Sequence, residues 1–547
     1  MKLPGKMLTR AAVGVSALLL AMGGLVPGAQ AQNAAPSKAL AFPKTFPNLP
    51  SPADWAMGGH DIFNSKSNPF ERRISTSNVD KLAVKWTYTA HGDTSAIPAV
   101  VDGAVYIPDW GGYFSKLNAQ TGEVIWSRKV SDWNGIAGSI VRASPTVVGG
   151  RVYVGDQNGP QGGQGAHLFA IDATNGDLIW KTTLDEHFAA VVTGSPTLYN
   201  GVLYQGVSSK EAAVAGLPGY KCCTFRGSVS AIEAKTGKVL WKKYTVPDNG
   251  GQTGGFSGGG VWSTSPMINP VNRTVVVGTG QNLSVPKSVS DCQSAGKPAS
   301  ECQPPDNHID QLLALDLRTG DIKWQAGDIV FDAWTVACEP NFPPENCPPN
   351  HGGDYDFAEG GHLLTIPGPH GLPRMVIGAG QKSGAYWLLD ARTGKTIWKT
   401  QVGPGGVHGG IEWGSATDGK RFYVSNANTS HVPYTLPNGQ TTTNGIFAAL
   451  DVRTGKILWQ TADPSNAETM GAVTTANGVM YAGSMSGHMY AINGATGKIL
   501  WDYLGEGSSN AGPAIVGGTV FWGNGYNNRF IPGKGSTTFY AFSVNGR

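Results

Sequence analysis

Residues 450–459 read LDVRTGKILW and residues 492–501 read INGATGKILW, two copies of one phrase: an apolar segment, Thr-Gly, three residues and Trp. Five more copies precede them, one with Asn-Gly in place of Thr-Gly: LNAQTGEVIW ending at Trp126, IDATNGDLIW at Trp180, IEAKTGKVLW at Trp241, LDLRTGDIKW at Trp324 and LDARTGKTIW at Trp398. Each has the alternation of a strand, a tight glycine turn and a second strand. Upstream of most copies stands another hairpin, as in PTVVGGRVYVG (145–155) and PTLYNGVLYQG (196–206). Four strands per unit, repeated around a ring, predict a β-propeller. Trp86, in KLAVKW, closes a similar strand without the Thr-Gly turn and brings the units to eight. The expected fold is all-β, an eight-bladed propeller.

Composition agrees. Gly is 77 of 547 residues, and charged residues, at 14%, fall well below the usual share of about 25%. A chain of this kind is rich in turns and strands. The formal net charge of +3 and the absence of a basic cluster interleaved with aromatics exclude an electrostatic case for nucleic acid. Trp spacing is close between Trp86 and Trp126 and between Trp459 and Trp501, and widest between Trp241 and Trp324. The excess in the middle predicts loops inserted on one face, roughly 205–225, 281–310 and 330–360. Loops on a rigid scaffold are where function usually sits.

Lys2, Lys6 and Arg10 precede an apolar run from Ala11 to Met22, and Ala29-Gln30-Ala31 follows. This order predicts a secretory signal over 1–31, cleaved before Gln32, with a propeller over 32–547. The run is too short for a bilayer helix, which needs roughly 20 apolar residues, and no later segment is long or apolar enough, so no membrane span is expected. The six cysteines form three close pairs, Cys222 with Cys223, Cys292 with Cys302 and Cys338 with Cys347, all within the inserted loops. In an exported chain an even count reads as disulfides; zinc is the rival, but there is no CxxC pair. No CxxCH occurs either, so no c-type haem is expected, and any electrons the chain collected would have to pass to a separate partner.

The Thr-Gly-x-x-x-Trp copies resemble the tryptophan-docking motifs of the pyrroloquinoline quinone (PQQ) dehydrogenases, in which the Trp of one blade docks on the next. A non-enzymatic outer-membrane assembly lipoprotein shares the repeat, so four site segments carry the distinction. GVSSKEAAVAGLPGYKCCTFRGSVSAI (206–232) resembles the segment with a calcium-ligating Glu, which implies that role for Glu211 and a cofactor contact for Ser208. Its adjacent Cys222 and Cys223 resemble the family's vicinal disulfide, which lies against the flat quinone. In GGGVWSTSPMINPVNRTVVVGTGQN (258–282), Trp262 matches the aromatic floor under the quinone, and Gln281 or Asn282 falls where a side-chain amide binds calcium. PPDNHIDQLLALDLRTG (304–320) implies Asp306 as catalytic base and metal neighbour, with Asp310 as the nearby alternative. GAGQKSGAYWLLDARTG (378–394) places the cation that reaches the quinone oxygens at Lys382. Arg142, Thr193 and Trp413 are implied channel-facing cofactor contacts.

The resemblance implies an alcohol dehydrogenase of the periplasm that uses PQQ and Ca²⁺. Asp306 would take the alcohol proton while hydride passes to the quinone, and Lys382 would stabilise charge on its oxygens. GGIEWGSATDGKRFYVSNAN (409–428) and GHMYAINGATGKILWDY (487–503) most resemble the polyvinyl alcohol dehydrogenase group. That similarity implies secondary alcohols, bulky or polymeric, with a separate cytochrome c or other acceptor. The alternatives are a PQQ enzyme for primary alcohols or sugars, and a non-enzymatic propeller scaffold.

Overall fold

A computed structural model describes residues 50–158, 163–262, 265–368, 372–528, 531 and 533–547. The expected signal and its cleavage point lie outside the described residues. Eight sheets, each built on four antiparallel strands, form the blades of a propeller. Blades 1 to 7 run over 99–129, 146–185, 197–244, 267–326, 362–401, 416–462 and 474–504. Blade 8 joins the chain ends: Ala514–Val516, Thr519–Trp522 and Thr538–Val544 are completed by Leu82–Thr89 as the outermost strand, with Leu82 opposite Val544 and Thr89 opposite Thr538. Middle strands lie between neighbouring blades, so both faces are buried and their sequences are apolar throughout, as in Val479–Gly483. Outer strands such as Ile457–Ala462 mix buried and exposed positions. Among the described residues, no helix is long and apolar enough to cross a membrane.

The repeat phrase locks each blade to the next. Trp86 Nε1 donates to the Ala119 carbonyl, Trp126 to Ala173, Trp180 to Ala234, Trp241 to Leu317, Trp398 to Val452, Trp459 to Gly494 and Trp501 to Leu82, all at 3.0–3.2 Å. The last of these closes the ring through the N-terminal strand. Glycine is required in the receiving turn for two reasons. Gly122, for example, has a φ of +76°, and a Cβ there would stand 2.7 Å from the Trp86 ring. Trp324 packs on Gly394 in the same way, but its Nε1 has no partner, because the Ala391 carbonyl is occupied by Asn272 Nδ2 at 2.9 Å. Trp398→Phe should therefore cost about 1 kcal/mol more than Trp324→Phe, the net worth of one hydrogen bond. Equal losses in denaturant unfolding would show that the hydrogen bond contributes nothing beyond ring packing.

In an antiparallel four-stranded blade, the connection from strand 2 to strand 3 and the one leading on to the next blade open on the same face. The three long insertions follow this rule: 210–227 and 279–311 join strands 2 and 3 of blades 3 and 4, and 327–361 leads from blade 4 to blade 5. The expected first insertion starts a little late, since Val202–Ser209 is still strand. All six cysteines are paired within these loops, Cys222–Cys223, Cys292–Cys302 and Cys338–Cys347.

Ahead of blade 8, residues 55–68 form a belt across the central channel. Trp55 pairs with Val100 of blade 1; the carbonyls of Ala56, Ile62, Phe63, Ser65 and Lys66 accept from Val147, Ile268, Leu363, Thr417 and Thr475 of blades 2, 4, 5, 6 and 7. Ser67–Asn68 then adds a parallel strand to blade 7, and Asn68 Nδ2 reaches the Ile515 carbonyl of blade 8. Where the belt meets blades 2 and 3 it is glycine: a Cβ on Gly58 would lie 2.5 Å from Ser195 Oγ and 3.0 Å from Ser144 Cβ.

Candidate active site

The face that carries the insertions also carries a buried polar centre. Its frame is Trp262, in the connection that enters blade 4. Its carbonyl accepts from Thr193 Oγ1 at 2.9 Å, and its Nε1 donates to Asp356 Oδ2 at 2.6 Å. Lys382, in the turn between strands 2 and 3 of blade 5, sets its ammonium 5.2 Å from the centre of the Trp262 ring, within cation–π range. The same ammonium lies 2.9 Å from Asp354 Oδ2 and 3.6 Å from Asp356 Oδ2. Trp413, from the connection into blade 6, meets Trp262 edge to face at 5.1 Å. On its other side Arg142 stacks on Trp413 at 4.7 Å and on Trp110 at 5.2 Å, and donates to Tyr526 Oη at 3.3 Å.

Around Lys382 gather four buried aspartates, Asp310, Asp332, Asp354 and Asp356. Asp332 is tied down by the N–H groups of Asp354 at 3.1 Å and Tyr355 at 2.7 Å, and Asp356 by the Gln281 N–H at 2.8 Å. No N–H or hydroxyl donates to either carboxylate oxygen of Asp310, which lies against the Asp332 carboxyl, and none donates to Asp354 Oδ1. Burial, and then the neighbouring carboxylates, raise Asp310 and Asp354 well above the ordinary carboxylate range. Burial opposes the charge on Lys382, but Asp354, Asp356 and Glu412 outweigh it and hold the ammonium well above its usual range. One ammonium cannot neutralise four carboxylates in a dry pocket, so the cluster either holds protons or takes a cation. Glu412, beside Trp413, is buried with Oε2 unpartnered, and burial pushes it up to about 8.

The structure thus gathers Trp262, Lys382, Arg142, Thr193 and Trp413. Ser208 lies close by, its Oγ filling the space beside Gly260, where a Cβ would come within 2.5 Å. Of the expected metal neighbours, Asp306 is exposed, and Glu211 and Asn282 have their side chains committed to other partners. Asp306 is exposed, because the chain around it is anchored by Asn307 to Asn282 and Gln303 and by the His308 N–H to the Thr245 carbonyl. The carboxylate that enters the cluster is its alternative, Asp310, on a residue with φ +50°. Glu211 is buried but turned into its own loop, where it accepts from Tyr220 Oη at 2.7 Å, Thr224 N–H at 2.9 Å and Phe225 N–H at 2.8 Å. Burial alone would raise it, but the hydrogen bonds from His187, Tyr220 and Phe225 outweigh that and hold it low. Asn282 spends its amide on Asn307 and the Ser257 carbonyl. Gln281 is buried beside Asp356. The Cys222–Cys223 pair packs on Ala212, Ala215 and Leu283. Asp332, Asp354, Asp356 and Glu412 went unread in the sequence. The phrase GGDYDFAEGG (352–361) was the one available signal, three acids within six residues inside an insertion.

A family model described as outer membrane protein assembly factor BamB (PQQ_2) matches residues 72–218, 161–330 and 386–536, most of the propeller. The chain belongs to the PQQ_2 propeller family. Among curated relatives, a polyvinylalcohol dehydrogenase from a Pseudomonas species is 29% identical over 91% of this chain and 78% of its own length. A quinohemoprotein alcohol dehydrogenase from Comamonas testosteroni is 24% identical over 90% of this chain and 76% of its own. Among solved structures, quinohemoprotein alcohol dehydrogenase ADHIIG from Pseudomonas putida HK5 superposes with a TM-score of 0.68 at 19% identity, over 91% of this chain and 81% of that one. Within the PQQ_2 propellers, the chain stands with the quinoprotein alcohol dehydrogenases.

Proposed function

We propose that this chain is a periplasmic dehydrogenase, dependent on PQQ and calcium, that oxidises alcohols to carbonyl compounds and passes the electrons to a separate cytochrome c or other acceptor. Secondary alcohols, bulky or polymeric, are the proposed substrates, in line with the polyvinylalcohol dehydrogenase relative. The observation that carries this reading is the joining of Trp262, Lys382 and a buried carboxylate cluster whose oxygens lack donors. A flat, polyanionic quinone suits an aromatic face flanked by Lys382 and Arg142, and a hard cation suits the free oxygens of Asp310 and Asp354.

In this reading Trp262 supports the quinone ring, while Arg142, Thr193, Ser208 and Trp413 orient it. Asp310, Asp332 and Asp354 hold the metal, in place of Glu211, Asn282 and Asp306, with Gln281 beside them. Bound quinone supplies a two-electron acceptor, and bound calcium supplies Lewis acidity. Asp310 takes the alcohol proton. Lys382 stabilises negative charge that develops on the acceptor's oxygens. The test is dye-linked oxidation of primary, secondary and polymeric alcohols by purified protein. Activity is expected only after both PQQ and calcium are added, highest on secondary alcohols. Full turnover in chelator without added quinone would overturn the reading, and absence of any quinone spectrum after reconstitution would favour a scaffold.

A further inference from the structure

Between the Trp413–Arg142 layer and the N-terminal belt lies a small chamber with a cavity volume of about 50 Å³. Its wall has an unusual charge balance. Lys66 from the belt and Arg142 from blade 2 both line it, together with serines from several blades, and no carboxylate lines it among the described residues. Arg142 is engaged with Tyr526 and the aromatic rings around it, but Lys66 is fully buried and its ammonium has no hydrogen-bond partner. Two further donors in the same wall are also unpartnered: Ser265 Oγ and Trp413 Nε1. Asn510 adds an unpartnered acceptor, Oδ1.

The nearest opposite charge to Lys66 does not satisfy it. Glu359 attracts it at a distance, but the Glu359 oxygens are committed to the Gly380 N–H, the Ser415 N–H and hydroxyl, and His362. Burial lowers the Lys66 pKa to about 8, with Glu359 opposing the shift, so the ammonium stays charged at neutral pH. A buried ammonium and two orphaned donors, around a space lined by no acid, are the complement of a small anion.

We propose that this chamber is an anion site centred on Lys66, completed by Ser265 and Trp413, which takes a small monovalent anion. Two sources share that chemistry: a free halide, and a carboxylate group of the bound quinone. The second source rests on the function proposed above and the first does not. A halide stripped of most of its hydration shell fits a space of about 50 Å³ beside one or two waters, which the Asn510 side-chain carbonyl can receive. The belt then has a functional reason for carrying a lysine at the point where it crosses the channel.

The experiment is anomalous diffraction from crystals grown in bromide, with and without bound PQQ, paired with thermal melts in chloride and in gluconate at equal ionic strength. A bromide peak within hydrogen-bond distance of Lys66 Nζ in both crystals identifies a free ion. A peak present only without PQQ identifies a quinone carboxylate as the occupant of the loaded form. Wild type should melt several degrees higher in chloride than in gluconate, and Lys66→Met should lose that difference. No bromide near Lys66 in either crystal, with equal melting in the two salts, would overturn the site. The PQQ-free crystal and the wild-type melts decide the matter even if the variant fails to fold or the quinone reading fails.

Discussion

Asp310→Asn should retain bound quinone and lose turnover by roughly 10²–10⁴-fold, the range for removal of a general base, while Asp306→Asn stays close to wild type. Asp306 stands exposed beside Asn307, with no ionisable partner within ion-pair distance among the described residues. Asp310 is buried with no N–H or hydroxyl donor on either oxygen, against the Asp332 carboxyl and within the same cluster as Lys382. Asn at 310 keeps the shape of the side chain and removes its basicity and its charge. Turnover, bound-quinone absorbance and metal content should be measured together on each variant. Loss of turnover with metal retained assigns the proton transfer to Asp310; loss of both assigns it to the metal's hold. A crippled Asp306→Asn beside an active Asp310→Asn would return the base to the exposed loop and dismantle the proposed site.

That reversal within one motif shows how far the sequence is legible. The fold is written in it because a propeller repeats: each Thr-Gly turn and each Trp specifies a contact with the next copy, and the last Trp meets Leu82 to close the ring. Local resemblance also placed Trp262, Lys382 and Arg142, each held in a short connection next to a strand whose position the repeat fixes. The insertions were harder, because their geometry is set by contacts made only on folding. Asn307 bonding to Asn282 turns Asp306 outward, and the N–H groups of Thr224 and Phe225 capture Glu211. Residue type at a matched position cannot report either event. The belt was unreadable for a similar reason: residues 55–68 carry no repeat, and their partners are single backbone groups spread over most of the blades.

Lys382 joins the aspartate cluster to the Trp262 face proposed to hold the quinone, and Lys382→Met should damage both stability and turnover. Removing the ammonium leaves Asp354 and Asp356 buried with no cation, a loss that typically costs about 3–5 kcal/mol when one partner of a buried pair is deleted. The pH dependence follows from the raised Asp354. A carboxyl held above its unfolded value contributes stability that is complete below the unfolded pKa and is lost as pH rises through the folded one. Without Lys382 that rise is larger, so the metal-free variant should be most stable in mild acid and lose ground to wild type steadily towards neutral pH. Calcium should bring the variant back towards metal-free wild type by supplying positive charge to the same oxygens, about 2.7 kcal/mol at a hundredfold excess over its dissociation constant. Turnover should not recover with it: loss of a donor aimed at developing negative charge is expected to cost roughly 10²–10³-fold. Denaturant unfolding at pH 5 and 7.5, with and without calcium, reads the first effect, and dye-linked turnover of calcium- and quinone-loaded protein reads the second. If calcium restored turnover as well as stability, Lys382 would be a structural counter-ion to the aspartates and the charge on the quinone oxygens would be stabilised by another group.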